Sequence, residues 1–385
     1  MRVGRGPVRI SDVSVVQVPD AGGTAMLVVV DTDEGIAGLG EVGIRPRQEA
    51  VRGALAHLRP LLIGADPMRT EHLWQLMSRG GFFPADGVLG AAVAAVDIAL
   101  WDIKGRTFGV PVHVLLGGAV RERVPCYTHV GPEDGDTEAV LAACRARIDE
   151  GWRHLRFVVP SEGEVLEPRR AARAAVAQMV ALRTALGDDV ELLLDVHTRL
   201  DPPEATMLCR ELEPVRPFFV EDPLRSEAPD AYAALRARTG VPIAAGEQYA
   251  SKWAFRALLD RDLIDYCRAD LCIVGGFTEG RKLAGWCEAH HVLMATHNPL
   301  GAVSTAAARE FNLACSNFGI CELAWVPDAA SPFFHGVPEV ADGALLVSDR
   351  PGLGIELDRE AARASSPGPH QIPLLRRADG AFTNW

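Results

Sequence analysis

Hydrophobic and polar positions follow one pattern before about residue 120 and another after it. The first part has β-rich runs at residues 8–19, 25–32 and 37–41, separated by the turn signals Asp20-Ala-Gly-Gly23 and Asp33-Glu-Gly35. These runs predict a three-stranded meander. Helical patterns follow at residues 48–62, 69–78 and 88–105. The first part is therefore predicted to be a small α+β domain.

From Val124 onward, short apolar runs alternate with amphipathic helical patterns, as in a parallel sheet closed into a barrel. The predicted strands are residues 124–129, 154–159, 190–195, 217–221, 242–246, 265–270, 292–296 and 320–323. The predicted helices are residues 138–150, 167–186, 202–212, 228–239, 251–260, 278–290 and 303–315. The predicted fold class is α/β, a (β/α) barrel with an N-terminal α+β capping domain. We expect the cap at 1–122, the barrel at 123–324, and a C-terminal segment, 325–385, that folds back on the cap.

Composition narrows the functional classes. The chain has 385 residues, more than the roughly 250 of a typical barrel. Charged residues make up 23% and no apolar run approaches the length of a membrane span, so no membrane role is expected. No secretory signal is recognisable, which favours the cytoplasm. A net charge of −12 argues against nucleic-acid binding, and eight cysteines without a C-x-x-C pair argue against a zinc site or disulfide framework.

Three carboxylates recur at one interval, each closing a predicted strand. Asp195, Glu221 and Glu247 are separated by 26 residues both times. The carboxyl ends of barrel strands converge on one mouth, so these side chains would repel each other unless a cation lay between them. All-oxygen ligation favours a hard cation, Mg²⁺ first.

The same register continues along the chain. Asp270, His297 and Glu322 end the next three predicted strands, after gaps of 23, 27 and 25 residues. Asp270 and His297, on adjacent strands, can form a dyad in which the carboxylate orients the imidazole and raises its basicity. His197 lies two residues after Asp195 and shares its face under strand alternation. Taken singly, these residues can be helix caps, ion-pair partners or core residues; the shared register is what favours a catalytic site.

Longer motifs resemble the enolase superfamily, specifically its mandelate-racemase-like sugar-acid dehydratases of the galactonate and gluconate type. The resemblance covers nearly the whole chain. In the first part it rests on Val96-Asp-Ile-Ala-Leu-Trp-Asp-Ile-Lys-Gly105 and Leu115-Leu-Gly-Gly118. In the barrel it rests on Leu194-Asp-Val-His197, Val220-Glu-Asp-Pro223, Ala244-Ala-Gly-Glu-Gln248, Cys272-Ile-Val-Gly-Gly276, Thr296-His-Asn-Pro-Leu-Gly301 and Asn317-Phe-Gly-Ile-Cys-Glu322.

The resemblance implies an enolase-type modified TIM barrel and a set of roles. Asp195, Glu221 and Glu247 would hold Mg²⁺, which binds the substrate carboxylate and stabilises the enediolate left after loss of the α-proton, a pattern known for this superfamily. His297, assisted by Asp270, would be the base. His197 would protonate the departing β-hydroxyl, and Glu322 would hydrogen-bond the enediolate or the carboxylate. The implied reaction converts a galactonate- or gluconate-like aldonate into a 2-keto-3-deoxy acid.

Two departures bear on the reaction. Racemases of this group carry Lys-X-Lys at the end of the second barrel strand, where this chain has Arg156 and Val158. Arginine stays protonated and valine cannot act as a base, so two-base racemisation lacks a partner. Mannonate dehydratases pair an arginine on that strand with a tyrosine in the next loop, but residues 160–165 contain none. Mannonate is therefore a less favoured substrate than galactonate or gluconate.

Substrate contacts are predicted at three further residues. Arg156 is predicted to bind the substrate's distal hydroxyls or carboxylate, although an internal ion pair explains it equally well. Arg45 and the cap loops near 20–24 and 42–47 are predicted to set substrate identity. Trp325 either lines the pocket or packs under the cap.

Other functions remain open at this point. One is an epimerase or a diacid-sugar dehydratase of the same superfamily. Another is a catalytically silent protein that binds a sugar acid and keeps the fold and the metal. The resemblance also suggests a homo-oligomer.

Overall fold

The computed structural model describes residues 8–20, 23–131, 136–365, 367–368 and 374–383. Within that part, the N-terminal strands form an antiparallel meander in the order β1-β2-β3. Their bounds are β1 Ile10–Asp20, β2 Gly23–Thr32 and β3 Ala37–Glu41. The predicted meander is confirmed, while residues 21 and 22 of the turn between β1 and β2 lie outside the described residues.

Helices α1 Gln48–Leu62, α2 Thr70–Arg79, α3 Gly87–Phe108 and α4 Val112–Leu115 follow the meander. α3 is apolar around most of its circumference and is buried along nearly its whole length. A helix of this kind needs apolar neighbours on all sides. One side of α3 packs against the meander, and the other meets the barrel, where Trp101 Nε1 donates to Thr278 Oγ1 at 3.0 Å.

Eight parallel strands of the described residues close into a barrel, because the last strand pairs with the first. They are β4 Arg123–His129, β5 His154–Val158, β6 Glu191–Asp195, β7 Phe219–Glu221, β8 Ile243–Ala245, β9 Tyr266–Cys267, β10 Leu293–Thr296 and β11 Phe318–Leu323. The intervening helices are α5 Thr137–Asp149, α6 Pro168–Leu186, α7 Pro202–Leu212, α8 Pro229–Arg236, α9 Arg256–Leu259, α10 Leu271–Val274, α11 Gly276–Ala289 and α12 Ala302–Ala314. The predicted barrel with an N-terminal cap is confirmed.

Two of the elements that are shorter than predicted have a visible cause. The helix predicted at 251–260 is reduced to α9, because residues 251–256 form successive turns closed by hydrogen bonds between residues three positions apart. These turns direct Lys252 onto the buried Glu279 and over the ring of Trp253, 3.8 Å from its centroid. The strand predicted at 265–270 ends at Cys267, because Asp270 instead caps α10 by accepting from Cys272 N at 2.7 Å.

The segment after the barrel contacts both the cap and the barrel. Strands β12 Phe334–His335 and β15 Glu356–Leu357 pair with each other, and the hairpin of β13 Val340–Ala341 and β14 Ala344–Leu346 extends β4. Leu353 N donates to Asp102 Oδ1 of α3 at 2.9 Å, and α13, Arg359–Ala364, begins with an ion pair to Asp31 of the cap. The domain boundaries at 122/123 and 324/325 stay predictions.

The barrel interior is filled by one inward-facing residue from most of its strands. These residues form a buried cluster that comprises Tyr127, Leu193, Phe219, Ala244, Ala295 and Ile320. Side chains alternate along a strand, so the residue two positions further on faces inward again, one layer nearer the carboxyl end. This register decides which side chains reach the mouth.

No helix in the described ranges is long and apolar enough to cross a membrane. The cysteines at all eight positions are buried and form no disulfide. Cys126 and Cys321 lie in register on the neighbouring strands β4 and β11.

Candidate active site

The residues two positions beyond the interior cluster form a polar layer at the barrel mouth. They include His129, Asp195, Glu221, His297 and Glu322. β8 differs, because Gly246 takes this position and Glu247 follows one residue later. Gly246 has φ +136°, and a side chain there would also collide with the ring of Phe255, so only glycine allows the turn that carries Glu247.

The ends of β6 and β7 are held in a left-handed backbone conformation. His197 has φ 50°, Thr198 has φ 55° and Asp222 has φ 41°, values that residues with a side chain rarely adopt. Neighbouring strand ends fix these turns, since Val196 N donates to Glu221 O at 3.0 Å and Thr198 N to Asp222 O at 2.9 Å. Strain of this kind concentrates at functional sites, where the surrounding structure holds it.

Two buried arginines lie among the three predicted metal ligands. Arg156 forms an ion pair with Asp195, and its Nε lies 3.4 Å from Glu221 Oε1. Arg268 Nη2 lies 3.4 Å from Glu221 Oε1 and 3.1 Å from Glu247 Oε2. Burial and the charge of Asp195 raise the pKa of Glu221, against the pull of both arginines. The guanidinium groups therefore supply the positive charge that buried carboxylates require.

The donor set fits a hard divalent cation, although this conformation does not gather it around one point. Among the described residues, no three His, Cys, Asp or Glu side chains converge closely enough to hold a metal. The contacts show how the carboxylates are engaged instead, because Arg156 contacts both Asp195 and Glu221, and Arg268 bridges Glu221 and Glu247. Carboxylate oxygens on successive strand ends are ligands that Mg²⁺ prefers. Binding of Mg²⁺ would require the guanidinium groups of Arg156 and Arg268 to move away from the ligand oxygens that they contact.

His297 and Asp270 form the predicted dyad. His297 Nδ1 lies 2.9 Å from Asp270 Oδ2, so the carboxylate fixes the ring and leaves Nε2 facing the mouth. Nε2 is 3.4 Å from Glu247 Oε2 and 3.8 Å from Glu322 Oε2. Burial disfavours the imidazolium, but Glu322, Glu247 and Asp270 outweigh it and raise the pKa of His297 to about 9. The neutral ring is therefore a stronger base than an ordinary histidine, but below about pH 9 most rings already carry a proton.

His197 lies on the opposite side of the mouth. It follows β6, the third barrel strand, whereas His297 follows β10, the seventh. Its Nε2 is 2.8 Å from Asp195 Oδ2 and 2.7 Å from Arg156 Nη2. Two histidines thus face each other across the carboxylates, an arrangement suited to proton transfer at the two faces of one substrate.

Glu322 joins both sides of the layer and has a partner that the sequence did not reveal. Its Oε1 lies 2.7 Å from His129 Nε2, and its Oε2 accepts from Asn298 N at 3.1 Å. Burial and Arg156 lower the pKa of His129, which favours a neutral ring that donates to Glu322. His129 is the last residue of a predicted strand, so the register that identified the other strand ends could have identified it too.

Arg268 is the second residue that the sequence reasoning missed. It precedes Asp270 by two positions, and strand alternation could have placed both on one face. The sequence analysis did not predict a buried arginine in the strand expected at 265–270.

The three predicted substrate contacts lie in different surroundings. Arg156 is buried and engaged by Asp195 and Glu221, as the internal ion pair would require. Trp325 is 45% exposed and lines a cavity of about 490 Å³ together with His129 and Arg156. Arg45 is buried in the cap, with Nη2 3.7 Å from Glu41 Oε1. The structure brings Arg156 and Trp325 to one cavity, while Arg45 lies against the cap carboxylate.

A capped barrel with carboxylates on neighbouring strand ends and a histidine–aspartate dyad is the architecture of the enolase superfamily. The model of the enolase C-terminal domain-like family matches residues 139–362, and that of the mandelate racemase/muconate lactonizing enzyme N-terminal domain matches residues 4–117. The chain belongs to the mandelate racemase/muconate lactonizing enzyme family of this superfamily.

Similarity to known proteins extends over nearly the whole chain. A D-galactonate dehydratase from Ralstonia nicotianae is 38% identical over 370 residues, which cover 94% of this chain and 96% of that protein. The D-galactonate dehydratase from Verminephrobacter eiseniae is 36% identical over 375 residues, with the same coverage.

Two solved structures resemble this one closely. An enolase from Pantoea ananatis with bound D-gluconate and Mg has a TM-score of 0.92 at 31% identity, covering 98% of this chain and 100% of that one. A putative galactarate dehydratase from Agrobacterium radiobacter with bound Na and L-malate has a TM-score of 0.91 at 29% identity and the same coverage.

Proposed function

We propose that this protein is a Mg²⁺-dependent sugar-acid dehydratase that converts an aldonate of the galactonate or gluconate type into a 2-keto-3-deoxy acid. The observation that carries the proposal is the pair of histidines on the third and seventh strands, with the carboxylates between them. A base and an acid on opposite sides suit removal of an α-proton from one face and loss of the β-hydroxyl from the other. The identified dehydratase relatives support the same reaction.

His297 would take the α-proton on Nε2, since Asp270 engages Nδ1. The electrons of that C–H bond form the double bond between the α- and β-carbons, the β C–O bond breaks, and His197 protonates the departing oxygen as water. The resulting enol tautomerises to the 2-keto-3-deoxy acid. Asp195, Glu221 and Glu247 would hold Mg²⁺, which supplies positive charge to the substrate carboxylate as negative charge develops. Each positioned proton-transfer group could contribute about 10²–10⁴-fold.

Glu322 would hydrogen-bond the substrate carboxylate, with its orientation fixed by His129 and Asn298 N. Arg156 and Trp325 border one cavity and are proposed to contact the substrate there. Arg45 is proposed to influence substrate identity from the cap, where it lies beside Glu41. A diacid sugar is the second candidate substrate, because the similar Agrobacterium radiobacter structure holds the diacid L-malate.

The test is a stereochemical library of aldonates and sugar diacids incubated with Mg²⁺, with 2-keto-3-deoxy products detected as semicarbazones. We expect turnover of an aldonate that EDTA abolishes and added Mg²⁺ restores. Product from diacids alone would replace the aldonate proposal with the second candidate. If no product forms, proton NMR in D₂O separates the remaining functions: α-deuteration without elimination indicates an epimerase, and no exchange indicates a binding protein.

We further propose that the protein acts in the cytoplasm as a homo-oligomer. Sedimentation equilibrium would test the assembly, and a mass of about one chain would contradict it. Fractionation of the producing cells would test the location.

A further inference from the structure

Arg268 is a fully buried arginine whose side chain ends among the carboxylates of the mouth. Two of its nitrogen atoms are anchored by groups outside the predicted metal ligands. Nε lies 3.2 Å from Asp222 Oδ2, and Nη1 donates to Tyr127 Oη. Tyr127 Oη in turn donates to Glu221 Oε2 at 3.1 Å. The guanidinium is therefore fixed on one side by partners that a metal would leave in place.

The third nitrogen faces three carboxylates at once. Nη2 lies 3.4 Å from Glu221 Oε1, 3.1 Å from Glu247 Oε2 and 3.2 Å from Glu322 Oε2. Two N–H groups cannot satisfy three such oxygens equally, so the contact is mainly one of charge. Two of the three carboxylates are the proposed ligands of Mg²⁺, which needs oxygens at about 2.0–2.1 Å. A cation bound to them would lie close to Nη2 and be repelled by it.

We propose that Arg268 is a built-in counter-cation, which holds the carboxylate cluster together without a metal and competes with Mg²⁺ for Glu221 and Glu247. The inference rests on the proposed Mg²⁺ site. It makes Arg268 a positioning residue, since the contacts it makes are with ligands and with Glu322. Binding of Mg²⁺ would displace Nη2 from Glu221 and Glu247, while Nε and Nη1 keep Asp222 and Tyr127.

Two measurable consequences follow. Without Arg268, the metal-free protein would bury carboxylates that repel each other, so its thermal stability should fall. Mg²⁺ would also bind more tightly, because a fixed positive charge no longer opposes it. A purely structural ion pair would give the first effect without the second.

The experiment compares the unaltered protein with Arg268→Met, which keeps an unbranched apolar side chain and removes the charge. Isothermal titration calorimetry gives the Kd for Mg²⁺, and thermal unfolding is followed with and without Mg²⁺. We expect Arg268→Met to tighten the Kd by about tenfold or more. Its unfolding midpoint should drop by several degrees without Mg²⁺ and recover most of that loss at saturating Mg²⁺.

Arg309→Met is the matched control. Arg309 is also buried, pairs with Glu310 at 3.0 Å and donates to Leu353 O at 2.8 Å. It should lower the unfolding midpoint equally with and without Mg²⁺ and leave the Kd unchanged. Arg268→Lys, which retains the charge, should keep the Kd within about threefold of the unaltered protein.

An unchanged or weaker Kd in Arg268→Met would overturn the proposal. If that variant folds at no Mg²⁺ concentration, Arg268→Gln is judged by the same criterion. Failure of the unaltered protein to bind Mg²⁺ would contradict the metal site itself. Binding by the unaltered protein with no change in the variant would contradict only the role of Arg268.

Discussion

Buried carboxylates at the barrel mouth and where the cap meets the barrel are held by different kinds of partner. At the barrel mouth, Asp195 and Glu221 lie against the guanidinium groups of Arg156 and Arg268. Where the cap meets the barrel, the buried carboxylates Glu41 and Asp97 instead accept backbone N–H groups at helix beginnings. Glu41 accepts from Gly301 N at 2.8 Å and Ser304 N at 2.9 Å.

The cap residue Asp97 follows the second pattern. It accepts from Thr278 N at 3.0 Å and Thr278 Oγ1 at 2.6 Å, near the beginning of α11. Gly276 leaves room for this contact, because a side chain there would collide with the Asp97 carboxylate. Backbone N–H groups fix these two carboxylates in place, with Arg45 as an additional charged neighbour of Glu41. Guanidinium groups at the mouth are whole charges, for which another cation can substitute.

The difference predicts that removing a carboxylate from the mouth eliminates function, whereas removing one from the interface affects stability alone. Glu221→Gln tests the first half with the largest expected effect. The amide is a poor Mg²⁺ ligand, so we expect Mg²⁺ affinity to fall by about 10²-fold or more, with turnover lost. Calorimetry and turnover at several Mg²⁺ concentrations measure both, and activity with unchanged Mg²⁺ dependence would contradict the predicted ligand set.

His297→Asn separates the base from the metal site. We expect turnover to fall by about 10³-fold, since a proton acceptor at this position is lost. The Kd for Mg²⁺ should remain within a few-fold of the unaltered value, as measured by calorimetry. Near-normal turnover would show that another group takes the proton. Loss of Mg²⁺ binding would mean that the variant had disturbed the ligands instead.

Much of this arrangement could be predicted from the sequence, because strand period and strand spacing are both local signals. Asp195, Glu221, His297 and Glu322 close apolar runs, and the barrel brings such ends to one mouth. The partners of buried charges are different, since they are set by tertiary contacts between distant strands. Arg268 was therefore not predicted as a site residue, although it lies two residues before Asp270. The helix predicted at 251–260 forms only at Arg256–Leu259, and the turns before it place Lys252 on the distant Glu279, a tertiary contact of the same kind.

Asp97→Ala tests the interface. The change leaves the buried Thr278 N–H and hydroxyl without their acceptor, so we expect a loss of about 3 kcal/mol in the free energy of unfolding. Denaturant unfolding measures this loss, and kcat should stay within about threefold because the mouth is untouched. Asp86→Ala is the control on the same helix, since Asp86 is an exposed cap that accepts from Gly87 N. The Asp86→Ala change should lower the free energy of unfolding by about 1 kcal/mol.

Glu41→Gln gives the smallest effect and tests the interface through its pH dependence. Burial, partly offset by Arg45, raises the pKa of Glu41 from 4.5 to about 7 in the folded protein. Well below pH 4.5 the carboxyl is protonated in both the folded and the unfolded chain, so its ionisation does not change the free energy of unfolding. As pH rises from 4.5 to 7, the unfolded chain ionises first, and the folded state loses stability until both forms are ionised.

Glutamine cannot ionise, so Glu41→Gln should escape this loss. Between pH 5.5 and pH 8, its stability relative to the unaltered protein should improve by about 2 kcal/mol. Urea unfolding at both pH values measures the change. The same difference at both pH values would show that the hydrogen bonds from Gly301 N and Ser304 N keep Glu41 ionised throughout. The cap carboxylates would then resemble those of the mouth in charge, and the contrast between the two regions would lie only in the partners that neutralise them.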